Sequence, residues 1–278
     1  MNINNFLHKK SILLGIFVFA FNSIVLSQIC GNKFSSAEMQ RHYNTQTLNG
    51  AYIPQDTCLN KKFSLVIHIV LDSSGTTGVQ PGDITKGIDS LNKYFKPICV
   101  SFEACFVKKI KDYNYNEWDK TIHEPVVRLT YHDAKVINIY LVENIVKPAG
   151  AAGYAASGND LIVIKKNAFA SMVSVHEMGH FFDLPHTFEN FVPELVIRSN
   201  ACYNSGDGFC DTDADPYPAG KVTSMPCEFQ VGPQDAQGQY YTPPVDNIMS
   251  YWKCPCKFTQ EQYNWMALYI RDVKNYLH

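Results

Sequence analysis

Apolar positions along the chain follow two periods, and the switches between them mark out most of the elements. "FSLVIHIVL" (63–71) is an almost unbroken apolar run closed by the turn signal "DSSG", which predicts a buried strand with His68 as a satisfied core histidine. "PGD" then opens a helix on which Ile84, Ile88, Leu91 and Phe95 fall at i, i+4, i+7 and i+11, giving one buried face. "ICVSFEACFV", "EPVVRLTY", "KVINIYLV" and "DLIVI" (160–164) read as further strands, so strands and helices mix in an α/β or α+β core. Before the last of these lies "PAGAAGYAASGND", whose small residues let another backbone approach and suit the rim of a cleft; an ordinary flexible loop accounts for the composition equally well. Residues 28–61 are polar and without strong periodicity, as in a pro-segment or arm. After residue 190 the chain is loop-rich until Thr259, where Gln262 gives the spacing of a capping box and Phe258 and Tyr263 that of a hydrophobic staple. Met266, Ile270, Val273 and Leu277 would form the buried stripe of that last helix.

The first residues do not belong to this core. Lys9-Lys10, an apolar run from about Ile12 to Leu26 and small Ser27 read as a secretory signal peptide cleaved after Ser27, with an N-terminal membrane anchor as the alternative. Export agrees with nine cysteines, all beyond that point. Their odd number leaves at least one without an internal partner, and Cys99 and Cys105, six residues apart on one extended stretch at about 3.3 Å each, are too distant to bridge. The net charge of −2 and the absence of a Lys/Arg run give no reason to expect a nucleic acid or an anionic membrane as partner.

The chemistry is concentrated in "SVHEMGHFFDLPH". Residues from about 168 to 182 are helix-compatible, which sets His176 and His180 one turn apart on one face, about 5–6 Å between Cβ atoms, where two imidazoles can grip one ion. Glu177 is rotated by about 100° from His176, close enough to act on a water at the ion without occupying a ligand position. Pro185 disfavours continuation of the helix, so the chain swings away and can return His186 as a third nitrogen ligand.

"HEMGHFFDLPH" is similar to the metzincin zinc-peptidase pattern HExxHxxGxxH, and "DNIMSYW" supplies Met249 for the Met-turn that accompanies it. With "CYNSGDGFCDTDADP" and "FTQEQ", residues from about 60 to 278 resemble the pappalysin family (M43), in particular its secreted cytophagalysin-like branch. The resemblance implies an α+β, metzincin-type fold: a twisted mixed sheet with an active-site helix and a backing helix above a cleft, and a loop-rich lower half with a C-terminal helix. The division expected is a signal peptide (1–27), a pro-segment (28–61) and a catalytic domain (62–278), its upper subdomain reaching about residue 186.

The implied activity is that of a secreted, monomeric zinc endopeptidase acting on proteins through a zinc-activated water, with His176, His180 and His186 as ligands and Glu177 as general base. Tyr251 matches the Met-turn tyrosine that lies beside the zinc, and Met249 would floor the histidines. Asp183 stands where the pattern has Gly, and Asp tolerates the left-handed conformation such a turn needs. The family's latency cysteine lies in an "RCGT"-like stretch; "ICGN" places Cys30 there without the Arg, as a zinc ligand in the latent form or else a disulfide partner, for instance of Cys58. The family's lower half implies a bridge from Cys227 to Cys254 or Cys256, and Asp207 and Asp211 in an oxygen-rich loop suggest a structural calcium. No basic-residue preference is expected, because Trp252, Lys253 and Cys254 follow Tyr251 without an acidic pocket residue. The rival readings are a secreted binding module stapled by a closed metal site, and a metallohydrolase of non-peptide substrates.

Overall fold

A computed structural model describes residues 30–49, 58–189, 191–198, 200–218, 220–223 and 227–278; the predicted signal peptide lies outside them. The frame is a five-stranded sheet of order β2-β1-β4-β7-β6, built from β1 (Lys61–Val70), β2 (Val100–Ile110), β4 (Ile137–Val142), β6 (Gly153–Ala156) and β7 (Leu161–Lys165). Four of these strands are parallel to their neighbours, and β6 runs antiparallel to β7 at one edge. Two short strands, β3 (Glu117–Asp119) and β5 (Asn144–Lys147), form a separate pair, as do β8 (Lys221–Val222) and β9 (Phe229–Val231). This is the mixed α+β architecture read from the sequence, with a lower part poor in regular structure.

Central strands covered on both faces are mostly apolar, which is why β1, β4 and β7 read as almost unbroken runs. His68 is fully buried in β1: its Nε2 meets the Asn138 side chain at 2.9 Å and its ring stacks on Tyr140. Parallel neighbours need a crossover, and α2 (Pro81–Phe95) supplies the one between β1 and β2. Pro81 opens α2 at a position with no helical N–H bond to lose, and Leu91 and Phe95 are buried on its inner face. The edge strand β6 lies within the Gly/Ala-rich stretch expected at a cleft rim.

Two expectations need correction, and one element was not expected. "EPVVRLTY" is the body of helix α3 (Lys120–Thr130), not a strand. Asp119 caps it by accepting from the Thr121 N–H at 2.9 Å, and its apolar residues divide by helical period, Val127 inward and Ile122, Val126 and Leu129 outward. The β-branched run concealed that period. Residues 28–61, polar and without strong periodicity, nevertheless hold an element the pattern did not announce: Ser36–Asn49 form helix α1. Its buried residues Met39, His42, Tyr43 and Gln46 stand at i, i+3, i+4 and i+7, but half of them are polar and gave no hydrophobic signal. In the last helix, α5 (Gln260–Asp272), the capping box forms and Phe258 meets Tyr263, but the helix ends before Val273, which is half exposed.

Disulfides join Cys58 to Cys99, Cys202 to Cys210, and Cys227 to Cys254. Cys58 is thus not the partner of Cys30. Cys105 and Cys256 are free and exposed, so Cys254, not Cys256, makes the expected bridge from Cys227.

Candidate active site

Helix α4 (Met172–Phe181) starts at Ser171, whose hydroxyl accepts from the Val173 N–H at 3.2 Å, and is buried from Val173 to Phe181. The helix is covered on every side, packed against β6 and β7 of the sheet and against α2. Its two polar imidazoles therefore need partners. His176 Nδ1 donates to the Ile248 carbonyl and His180 Nδ1 to the Leu184 carbonyl, each at 2.7 Å. Those bonds set the tautomer, so the Nε2 lone pairs point into the site.

The helix ends as Asp183 takes φ = 70°, the left-handed conformation expected where the pattern has Gly. Burial pushes the Asp183 carboxyl up to about 7. Leu184 N–H returns to the Gly179 carbonyl and Trp265 Nε1–H donates to the Asp183 carbonyl, fixing the turn that carries His186 back. His186 Nε2 lies 3.0 Å from His180 Nε2, which lies 3.1 Å from His176 Nε2. Glu189 sits 3.7 Å from His186 Nδ1. Burial holds all three histidines neutral: His176 is pushed down to about 4, and His180 and His186 fall well below the ordinary value, each lowered further by its neighbours.

Three uncharged nitrogens facing one another in a dry centre repel unless a cation lies between them. Tetrahedral Zn²⁺ with bonds of about 2.0–2.1 Å sets its nitrogens about 3.3 Å apart, so the donor set fits zinc. The Cys30 Sγ completes the group: its sulfur and one nitrogen from each histidine lie within 4.8 Å of one another. Among the described residues this is the one cluster of three or more such groups close enough to hold an ion.

Cys30 also makes the contacts of a docked peptide. Its N–H donates to the Tyr251 hydroxyl at 2.8 Å, its carbonyl accepts from that hydroxyl at 3.0 Å, and Gly31 N–H donates to the Gly153 carbonyl at 2.8 Å on edge strand β6. The thiol donates to Glu177 Oε2 at 3.3 Å and accepts from Asn32 N–H. Burial, then the adjacent Glu177 charge, pushes the thiol pKa up.

Glu177 is fully buried, and its Oε1 has no hydrogen-bond partner among the described residues. Burial pushes its carboxyl up to about 8, against the lowering effect of the Cys30 bond and the Lys120 charge. A Cβ at position 153 would lie 2.9 Å from Glu177 Cγ, so only glycine at the rim leaves room for the carboxylate. Met249 is buried under α4, where a Cβ at Gly179 would come within 2.6 Å of its Sδ; it forms a floor and not a ligand. The Tyr251 ring stands 4.9 Å from that of His186.

Two residues of this site were not singled out for it in the sequence. Lys120 lies over the Tyr154 ring at 4.6 Å and acts on Glu177. Asp215 is buried and accepts from Thr187 Oγ1, Ser250 Oγ and Trp252 Nε1 at 2.6–2.9 Å, tying the neighbour of His186 to both neighbours of Tyr251. The acidic string around it had suggested calcium instead. That suggestion gains no support: Asp211 accepts from the Glu261 N–H at the start of α5, while Asp207 is buried and accepts from the Phe209 N–H.

No curated protein matches the chain by sequence. Among solved structures, a mutant of Tannerella forsythia promirolysin superposes with a TM-score of 0.57 at 14% identity, covering 89% of this chain and 95% of its own, which supports the fold. Metalloproteinase-II from Bacteroides fragilis matches at a TM-score of 0.30 and 15% identity over 48% of this chain and 45% of its own, too weakly to carry an argument. The family model described as pregnancy-associated plasma protein-A, peptidase family M43, matches residues 120–271, which is more than half the chain and holds the three histidines, Glu177, Met249 and Tyr251. The chain belongs to the M43 family of metallopeptidases.

Proposed function

We propose that the chain is a secreted zinc endopeptidase, held latent by Cys30. The observation that carries this reading is the convergence of three neutral Nε2 atoms beside a buried, partly unpartnered carboxylate. Zinc held by His176, His180 and His186 would supply Lewis-acid polarisation of a substrate carbonyl and of water. Glu177 accepts the proton of the attacking water and passes it to the leaving amine, a role open to a buried carboxylate with one oxygen left unbonded among the described residues. The Tyr251 hydroxyl, already both donor and acceptor to a peptide unit, donates to the developing oxyanion once Cys30 has left. Strand β6 presents its free edge to an extended substrate, as its bond to Gly31 illustrates.

Residues between the signal peptide and Cys58 are the removable pro-segment. Because Cys58 is bridged to Cys99 beside β2, a cut that frees the segment must fall before Cys58, which shortens the segment read as 28–61. The disulfides and the N-terminal apolar run support export.

The closed set of Cys30 and three histidines also favours a second reading, a metal staple in a non-catalytic module, since structural zinc sites have four protein ligands. Glu177→Ala separates the two. In the processed protein it should lower casein hydrolysis by about 10²–10⁴-fold with zinc content unchanged. Equal rates for variant and parent, or no chelator-sensitive hydrolysis by the parent, would remove the peptidase reading.

A further inference from the structure

We infer that the surface beneath α1 is a helix-docking site that holds residues 36–49 independently of Cys30, so that a cut before Cys58 leaves the pro-segment in place as a non-covalent inhibitor. The inference rests on the reading of those residues as a removable segment. Its basis is a set of contacts that includes no residue of the metal cluster. Met39, His42 and Tyr43 are almost wholly buried although they lie on a polar helix. The carbonyls of Gly206 and Asp207 turn toward α1, the first accepting from the Tyr43 hydroxyl at 2.7 Å and the second from His42 Nε2 at 2.9 Å. The His42 ring meets Trp265 edge-on at 4.4 Å and Phe209 at 5.2 Å, and Tyr43 faces Phe191 at 6.4 Å.

The receiving loop is shaped for this helix. Gly206 and Gly208 both have positive φ, and a Cβ at Gly208 would lie 2.9 Å from the His42 ring. A capping box also starts α1, with Ser35 N–H donating to the Glu38 carboxylate at 2.7 Å and Glu38 N–H to the Ser35 hydroxyl, so the helix has its own N-terminal stop only five residues after Cys30. Such a short connection gives the thiol a high effective concentration at the histidines for as long as α1 is docked. Helix and thiol form a two-point clasp in which the helix is the anchor.

The test uses the full chain with a recognition sequence for a specific protease inserted within residues 50–57. After nicking, gel filtration and mass spectrometry report whether the N-terminal fragment stays bound, in the parent, in Cys30→Ser, and in the double variant Met39→Ala/Tyr43→Ala. The fragment should co-elute in the parent and in Cys30→Ser, and the double variant should bind it at least about a hundred-fold more weakly. Hydrogen exchange in β1 and β4 shows in each case that the sheet is intact. Release by Cys30→Ser alone, or full retention by the double variant, overturns the inference. None of these readouts needs activity: a fragment retained by the parent, with no casein cleavage even by the double variant once its fragment has been removed, would sink the peptidase reading and leave the docking site standing, and active protein with a freely lost fragment would do the reverse.

Discussion

Helices α4 and α1 both place histidines against aromatic and aliphatic side chains, yet they use them in opposite ways. On α4, His176 and His180 have their Nδ1 atoms tied to carbonyls and their Nε2 atoms left open toward a common point. On α1 it is Nε2 of His42 that is tied, to the Asp207 carbonyl, and Nδ1 has no hydrogen-bond partner among the described residues. Convergence of lone pairs makes a ligand set; a single bonded imidazole in an aromatic cage makes a contact. Burial alone does not distinguish them, since His176 and His42 are both pushed down to about 4 by desolvation.

The largest expected effect breaks the α4 side of this comparison. His180→Ala removes the central nitrogen of the three, and its cost in zinc affinity should exceed the about 10–100-fold attached to an outer-shell partner. Zinc analysis after dialysis checks this, and hydrolysis should vanish in parallel. A variant that keeps one zinc per chain would show that the ligands lie elsewhere.

The next effect sharpens the α1 side. An undocked His42 titrates near its ordinary value of 6.5 and the docked one near 4, so between those values the undocked form binds the extra proton. Docking is therefore at full strength above about pH 6.5 and weakens as pH falls toward 4. The charged groups around it are Asp207, itself pushed up by burial beside Glu194, and Arg41, Asp183 and Asp272 around a cavity of about 310 Å³ that His42 also lines. His42's share of this is a roughly twenty-fold weaker retention at pH 5 than at pH 7, which the buried carboxyls of Asp207 and Asp183 oppose, so the parent should lose retention over that range relative to His42→Gln. The same pH profile in parent and His42→Gln would mean that His42 is not desolvated by docking.

The smallest effect is a control on the helix assignments. Leu129 is 89% exposed on α3, so Leu129→Ser should shift stability by no more than about 0.5 kcal/mol by denaturant titration. A loss of several kcal/mol would restore the strand reading, in which that residue is covered.

What the sequence made legible follows from the same physics. Strands β1, β4 and β7 are buried on both faces and so carry almost unbroken apolar runs, and α5 declares its start through Thr259 and Gln262. The candidate metal ligands were legible because their spacing is dictated by one helical turn and one proline, both local. Helix α1 was not, because its buried stripe is half polar and is satisfied by carbonyls more than 160 positions away. Asp215 was hidden for a related reason: its donors, Thr187, Ser250 and Trp252, come from two distant segments, and only the fold brings them to one carboxylate. The pairing of Cys58 with Cys99 likewise depends on β1 and β2 lying side by side.

The most direct test of the central claim is anomalous diffraction at the zinc edge from crystals of the unprocessed protein grown with zinc. One peak is expected, at about 2.0–2.1 Å from Nε2 of His176, His180 and His186 and about 2.3 Å from Cys30 Sγ. A peak elsewhere, or none at these nitrogens in fully loaded protein, would contradict it.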